Sequence, residues 1–210
     1  MITYNIKWNE GHHDHLGDRY AMFASLLQEH KDKPSIAINT YITLPTKKEK
    51  LKNTLIQFIE TIDTKQTINI IDDPNHNEVY RRWKRNTWQY EKLSSKYPWK
   101  ENKNKICCYN DHCNKSWRKK RVPKWYNSNL FNIPGWKFIN VNHPMPLIEV
   151  VQNLSACQFF ISPESGLTHL ATCVGVPIYI INDHAEIYMQ SKFIKEIIKT
   201  KEQWFDLFLS

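Results

Sequence analysis

Ser165, Gly166, Thr168 and His169 stand together in the run Phe159 to Ile181, FFISPESGLTHLATCVGVPIYII. Their types and spacing suit anion binding. An apolar strand, Gln158 to Ser162, runs into a tight turn, Glu164 to Gly166, and a helix, Leu167 to Val174, follows at once. Such a helix start presents unpaired N–H groups and the positive end of its dipole to whatever lies at the sheet edge. Gly166 lets the backbone approach a ligand closely, and Ser165 and Thr168 add hydroxyl donors. His169, four residues after Ser165, lies on the same side of the helix and can reach a phosphate or a sugar hydroxyl. Gly175-Val176-Pro177 ends the helix and opens a second apolar strand ending at Ile181. The plainer reading is a tight turn with a core histidine, but a strand–turn–helix–strand unit puts the turn where open α/β sheets bind ligands.

Two polar segments offer further chemistry. The loop Asn9 to Asp18 (NEGHHDHLGD) carries His12, His13, Asp14, His15 and Asp18 at the carboxyl end of a first strand. Its histidine spacing matches no standard zinc pattern, so it reads as a polar loop facing a substrate, with no metal. Asp18 precedes a helical pattern and suits an N-cap as well as a base. The second segment, Asn110 to Lys124, contains Lys115 and the basic run KSWRKKRVPK, flanked by Trp117 and Trp125. With Arg81, Arg82, Lys84 and Arg85 beside Trp83 and Trp88, it forms the kind of basic–aromatic cluster that can grip nucleic acid; such runs are more commonly solvated surface. Cys107, Cys108, His112 and Cys113 are too crowded for a zinc knuckle.

The elements that must position these groups alternate. Strands are expected at Ile2–Trp8, Ser35–Asn39, Thr67–Ile71, Lys105–Tyr109, Lys137–Val141, Gln158–Ser162 and Val176–Ile181. Helices are expected at Arg19–His30, about Lys47–Ile62, Asn77–Tyr97, Lys124–Phe131, Pro146–Leu154 and Leu167–Val174. Strands without polar alternation, separated by helices, predict α/β architecture with mostly parallel sheets covered on both faces. The polar stretch Pro98 to Lys105 reads as a linker, dividing the chain into residues 1–100 and 101–210.

The totals agree with this picture. The chain has 210 residues, 41% hydrophobic and 24% charged, enough for one substantial domain or two small lobes. Its net charge of +8 favours an anionic partner. Five cysteines, an odd number, speak against a disulfide framework and for a reducing cytoplasm. The sequence shows neither a signal peptide nor a membrane-spanning run.

The stretch Glu164-Ser165-Gly166-Leu167-Thr168-His169-Leu170-Ala171, with Gly175-Val176-Pro177, resembles the C-terminal motif of the heptosyltransferase-like glycosyltransferases. Members have Asp-Ser/Thr-Gly-x-x-His, an Ala-rich helix and Gly-x-Pro; Glu164 stands here where Asp is usual. Two shorter matches occur in the right order, Lys115-Ser116-Trp117 and Gly17-Asp18. The resemblance runs over about residues 105–183 and is thin over the first 70. It implies a GT-B-like fold of two Rossmann-like lobes, the N-terminal one shortened. It also implies transfer of a sugar from a nucleotide-diphosphate sugar to an acceptor hydroxyl, of a glycan or a hydroxylated DNA base. Glu164, Ser165, Gly166, Thr168 and His169 would then hold the donor, Lys115 would neutralise its diphosphate, and Asp18 would deprotonate the acceptor, without a metal or other cofactor. Two other classes suit the same residues: a nucleotide or nucleotide-sugar binder without turnover, and a nucleic-acid binder on the same scaffold.

Overall fold

The computed structural model describes residues 2–8, 36–42, 48–63, 67–72, 95–111, 122–142, 144–182 and 191–209. The helices expected at Arg19–His30 and over most of Asn77–Tyr97 fall outside them, as do both basic–aromatic clusters apart from Val122 to Trp125.

Two parallel sheets organise the chain. The first holds β1 (Ile2–Trp8), β2 (Ile36–Ile42) and β3 (Thr67–Ile71) in sequence order. Asn5, Asn39 and Asn69 share one rung of its register, and the Asn69 amide donates to Asn39 Oδ1 at 3.2 Å. Ile68 and Ile70 point to the other face, against the core. Because strand side chains alternate with period two, a slip of one residue between β2 and β3 would set an isoleucine in place of Asn69 beside Asn39, which favours the observed pairing. Between β2 and β3 runs α1 (Lys48–Thr61), whose buried Leu55 and Phe58, with Ile62 just beyond, recur at helical spacing.

The second sheet has the order β5-β4-β6-β7-β8. Its strands are β4 (Ile106–Tyr109), β5 (Lys137–Asn140), β6 (Phe159–Pro163), β7 (Ile178–Ile181) and β8 (Ile194–Ile198). From β4 the chain steps outward to β5, returns past β4 to β6, and continues in that direction to β8. Right-handed crossovers then require the connection after β4 to cover one face and those after β5 and β6 the other. The helices α2 (Leu147–Ala156) and α3 (Gly166–Val174) do cover one face, over Cys108, Phe160, Ile178 and Ile180. Residues 122–136 and the last helix, α4 (Lys201–Leu209), cover the other, over Cys107, Phe159 and Ile161. That second face is aromatic: Trp204 lies edge-on to Tyr126 and Phe131 with centroids 5.9 and 5.4 Å away, and Phe208 fills the gap to Trp136. Every residue of β6 is buried, as expected for a central strand packed on both sides.

The two halves meet through α1, which packs on α2 and places Leu55, Phe58 and Ile62 in the same core cluster as Val151 and Leu154. The polar stretch before β4 is pinned to this core. Lys96 N donates to Thr61 O at 3.1 Å, Trp99 N to Val174 O at 3.2 Å, and Trp99 Nε1 to Cys157 O at 2.8 Å.

Some expectations are corrected. Lys124–Phe131 is not an α-helix; only the 3-10 turn Ser128–Leu130 forms, because the Asn127 side chain accepts the Asn129 amide at 3.0 Å and competes with helical pairing. Ser95 is not helical but forms an antiparallel bridge with Ile62. β2 extends to Ile42, and the last strand of the motif starts at Ile178 because Gly175 to Pro177 complete the helix cap. β8 and α4 were not anticipated. Among the described residues, no helix is long and apolar enough to cross a membrane.

Candidate functional site at the carboxyl edge of the five-stranded sheet

The direction of strand addition reverses between β4 and β6, and at such a switch point the connections part to leave a crevice at the carboxyl ends. Asn110 follows β4 there, and Ser162 to Ser165 close β6. The backbone continues the pairing for one residue, with Asn110 N donating to Ile161 O at 3.0 Å.

A hydrogen-bonded knot fills the switch point. Asn110 Nδ2 donates to Ser162 Oγ at 3.2 Å and to Ser165 Oγ at 3.1 Å. The Ser162 hydroxyl donates to Pro163 O, and so does Thr168 Oγ1, at 3.3 Å. Ser165 is the N-cap of α3, in extended conformation with φ −154°. Its N–H donates to Thr168 Oγ1 at 3.1 Å, a capping-box bond in which Thr takes the place usually held by Glu or Gln. Tyr126, from the opposite face, donates its hydroxyl to Asn110 O at 3.0 Å. Asn110, Ser162 and Thr168 are buried, whereas Glu164, Ser165, Gly166 and Leu167 are half-buried and form the accessible lip.

The sequence-derived residues therefore divide. Glu164, Ser165 and Gly166 sit on the lip. The Thr168 hydroxyl turns inward to cap the helix. His169 is 4% exposed, and burial pushes its imidazole down to about 3, so it is neutral at ordinary pH. Asp18, Lys115, His12, His13, Asp14 and His15 lie outside the described residues. Trp125, expected as a stacking surface, donates its indole N–H to Lys199 O at 3.2 Å and packs against the aromatic core. Cys107 and Cys108 point to opposite faces of β4 and cannot ligate one ion together. Among the described residues no group of His, Cys, Asp and Glu is arranged to hold a metal.

The sequence reading missed Asn110, Tyr126 and a second polar group on the β5 side of the edge. There Asp111 Oδ1 accepts the amides of Asn140 and Asn142, each at 3.4 Å. Tyr109, stacked on Phe131 with centroids 3.5 Å apart, lies beside them. Burial, then the neighbouring Asp111 charge, raises its phenol above the ordinary value. The available signal was positional: polar residues directly after each parallel strand, Asn110 and Asp111 after β4 and Asn140 and Asn142 at the end of β5.

No protein-family profile and no curated protein sequence matches the chain. One solved structure does: the bacterial iron-containing dodecameric glycosyltransferase TibC from enterotoxigenic E. coli, 13% identical, with a TM-score of 0.45. The match covers 86% of this chain and 57% of that one, so the chain spans little more than half the length of its structural neighbour. A likeness of that depth bears on neither activity nor substrate.

A strand–turn–helix start of this kind can offer hydrogen-bond donors to an anion. The first turn of a nine-residue helix starts at the switch point, with half-buried Ser165 and Gly166 at its head. Burial of His169 in neutral form leaves the helix dipole and amide donors, rather than a cationic imidazole, to supply the positive potential.

Proposed function

We propose that the chain binds a nucleotide-diphosphate sugar at the carboxyl edge of the five-stranded sheet and transfers its sugar to an acceptor hydroxyl. The observation that carries this reading is the placement of the Glu164-Ser165-Gly166 turn, at the head of α3 and at the β4–β6 switch point. The leaving diphosphate gains negative charge as the glycosidic bond breaks, and preorganised amide and hydroxyl donors stabilise that charge. The resemblance of residues 164–177 to the heptosyltransferase-like motif supports the same assignment and a GT-B-like arrangement of the two sheets. On this reading Lys115, in the connection after β4, adds a cation to the diphosphate, and Asp18, after β1, takes the acceptor proton. The acceptor is a glycan; a hydroxylated DNA base is the alternative that the basic clusters suggest.

A second reading, donor binding without turnover, is favoured by one feature: the hydroxyl of Thr168 and the ring of His169 are spent on the fold rather than presented to a ligand.

Thermal unfolding with ADP, GDP, UDP, CDP and their sugars tests both. A ligand at a hundred times its dissociation constant stabilises the native state by about 2.7 kcal/mol, a rise of about 5–10 °C for a chain of this size. A shift with one nucleoside diphosphate, followed by sugar transfer to a glycan or to hydroxylated DNA that Asp18→Asn abolishes, is the expected result. A shift without transfer to any acceptor selects the second reading, and a flat response across the panel rejects both.

A further inference from the structure

We propose that Asn110 is a positioning residue that aims the Ser165 hydroxyl proton out of the knot, toward the phosphate of a nucleotide bound as proposed above, on which reading this inference rests. The proton inventory of the knot leads there. Each hydroxyl carries one proton. Ser162 gives its proton to Pro163 O, and Thr168 gives its proton to the same carbonyl while accepting from Ser165 N. Asn110 Nδ2 has two protons, and both are committed, one to Ser162 Oγ and one to Ser165 Oγ. Ser162 and Thr168 also lie within reach of Ser165 Oγ, but the Pro163 carbonyl is the stronger acceptor for both; of the three hydroxyls, Ser165 has a proton with no carbonyl to take it. It can turn inward to the oxygens of Ser162 or Thr168, 3.2 and 3.4 Å away, or outward over the lip.

Asn110 biases that choice. Its amide already donates to the Ser162 oxygen and weakens it as an acceptor for a second proton. Donation to Ser165 Oγ polarises that hydroxyl and makes it a stronger donor, as chained hydrogen bonds do in a poorly hydrated site. Asn110 itself is held: it is 1% exposed, its N–H lies in the β4–β6 pairing, and Tyr126 fixes its carbonyl. Strand β4 thereby sets the direction of a donor that belongs to α3, across more than fifty residues of sequence.

The test is a double-substitution cycle on affinity for whichever of ADP, GDP, UDP and CDP binds best. Ser165→Ala is expected to weaken binding about tenfold, the loss of one hydrogen bond to a charged group. Asn110→Ala is expected to weaken it nearly as much, and the double variant to lose little more than either single one. Asn110→Asp should bind worse than Asn110→Ala at pH 8, because the introduced carboxylate draws the Ser165 proton inward and repels phosphate. Its affinity relative to wild type should recover toward pH 5. If Asn110→Ala does not fold, Tyr126→Phe replaces it, with a loss of about twofold that vanishes in the Ser165→Ala background. Single losses that multiply in the double variant, or wild-type affinity in Asn110→Ala, overturn the inference while leaving the donor site standing. Absence of nucleotide binding by the wild type overturns both.

Discussion

The amide of Ser165 donates to the hydroxyl of Thr168 at 3.1 Å, and the same hydroxyl donates to Pro163 O, so one buried side chain ties the end of β6 to the first turn of α3. Thr168→Val keeps the shape and removes both bonds. It takes the partner from the Ser165 N–H and leaves the Pro163 carbonyl with the Ser162 hydroxyl, at a cost of about 1–3 kcal/mol. Thr168→Ser should retain most of the stability. Urea unfolding of the three proteins checks this. Equal midpoints for wild type and Thr168→Val would mean that the cap does not hold this turn.

His169 gives the fold an acid limit. Its ring is held neutral down to about pH 3 in the native state, whereas the free side chain titrates near 6.5. Below pH 6.5 the unfolded chain therefore binds a proton that the native chain does not, and stability falls as pH falls. Through this one group the slope approaches about 1.4 kcal/mol per pH unit between pH 6 and 4. His169→Asn should be less stable at pH 8 but flatter with pH. Parallel slopes for the two proteins between pH 7.5 and 5 would show that His169 is not buried in the neutral form.

Four thiols, Cys107, Cys108, Cys157 and Cys173, are buried. Burial pushes those of Cys107 and Cys173 well up, and a hydrogen bond with Cys157, then burial, does the same for Cys108. Since the thiolate is the reactive form, these groups should ignore a thiol reagent such as DTNB at pH 8 until the protein opens. In a Cys113→Ser background, labelling should follow global unfolding in urea. Fast labelling in native buffer would contradict the packing of β4 against α2.

How much of this was legible in sequence follows from what each element buries. Strand β6 is apolar on both sides, so FFIS stood out without its neighbours. Strand β8 was missed because Lys195 and Glu196 break its pattern at the sheet edge, where both are exposed. Helix α4 was missed although its capping box is written as Thr200-Lys201-Glu202-Gln203, with Gln203 N on Thr200 Oγ1 at 3.2 Å and Thr200 N on Gln203 Oε1 at 3.1 Å. The lip of the site was readable because the turn and helix start are local. Asn110 was not, because its role depends on a strand order that brings together residues 52 and 55 positions apart.

Gly175 ends α3 with φ +83°, and its N–H donates to Ala171 O at 2.9 Å and to Thr172 O at 3.1 Å, while Val176 N returns to Ala171 O at 3.4 Å. This is a Schellman-type end, which needs one residue in the left-handed region. A Cβ there crowds its own carbonyl, so Gly175→Ala should cost about 1 kcal/mol, a fall of about 2–4 °C in Tm. Asn tolerates this conformation better, so Gly175→Asn should lose less, and the β-branched Gly175→Val more. Gly135 provides the control. It also has positive φ, +82°, but its Cβ would meet nothing within 4 Å, so Gly135→Ala isolates the backbone cost alone. A larger loss for Gly175→Ala than for Gly135→Ala measures what the buried helix end adds. The order Gly, Asn, Ala, Val at position 175, read from Tm, is the expected outcome, and an alanine variant as stable as wild type would place α3 in a different C-terminal geometry.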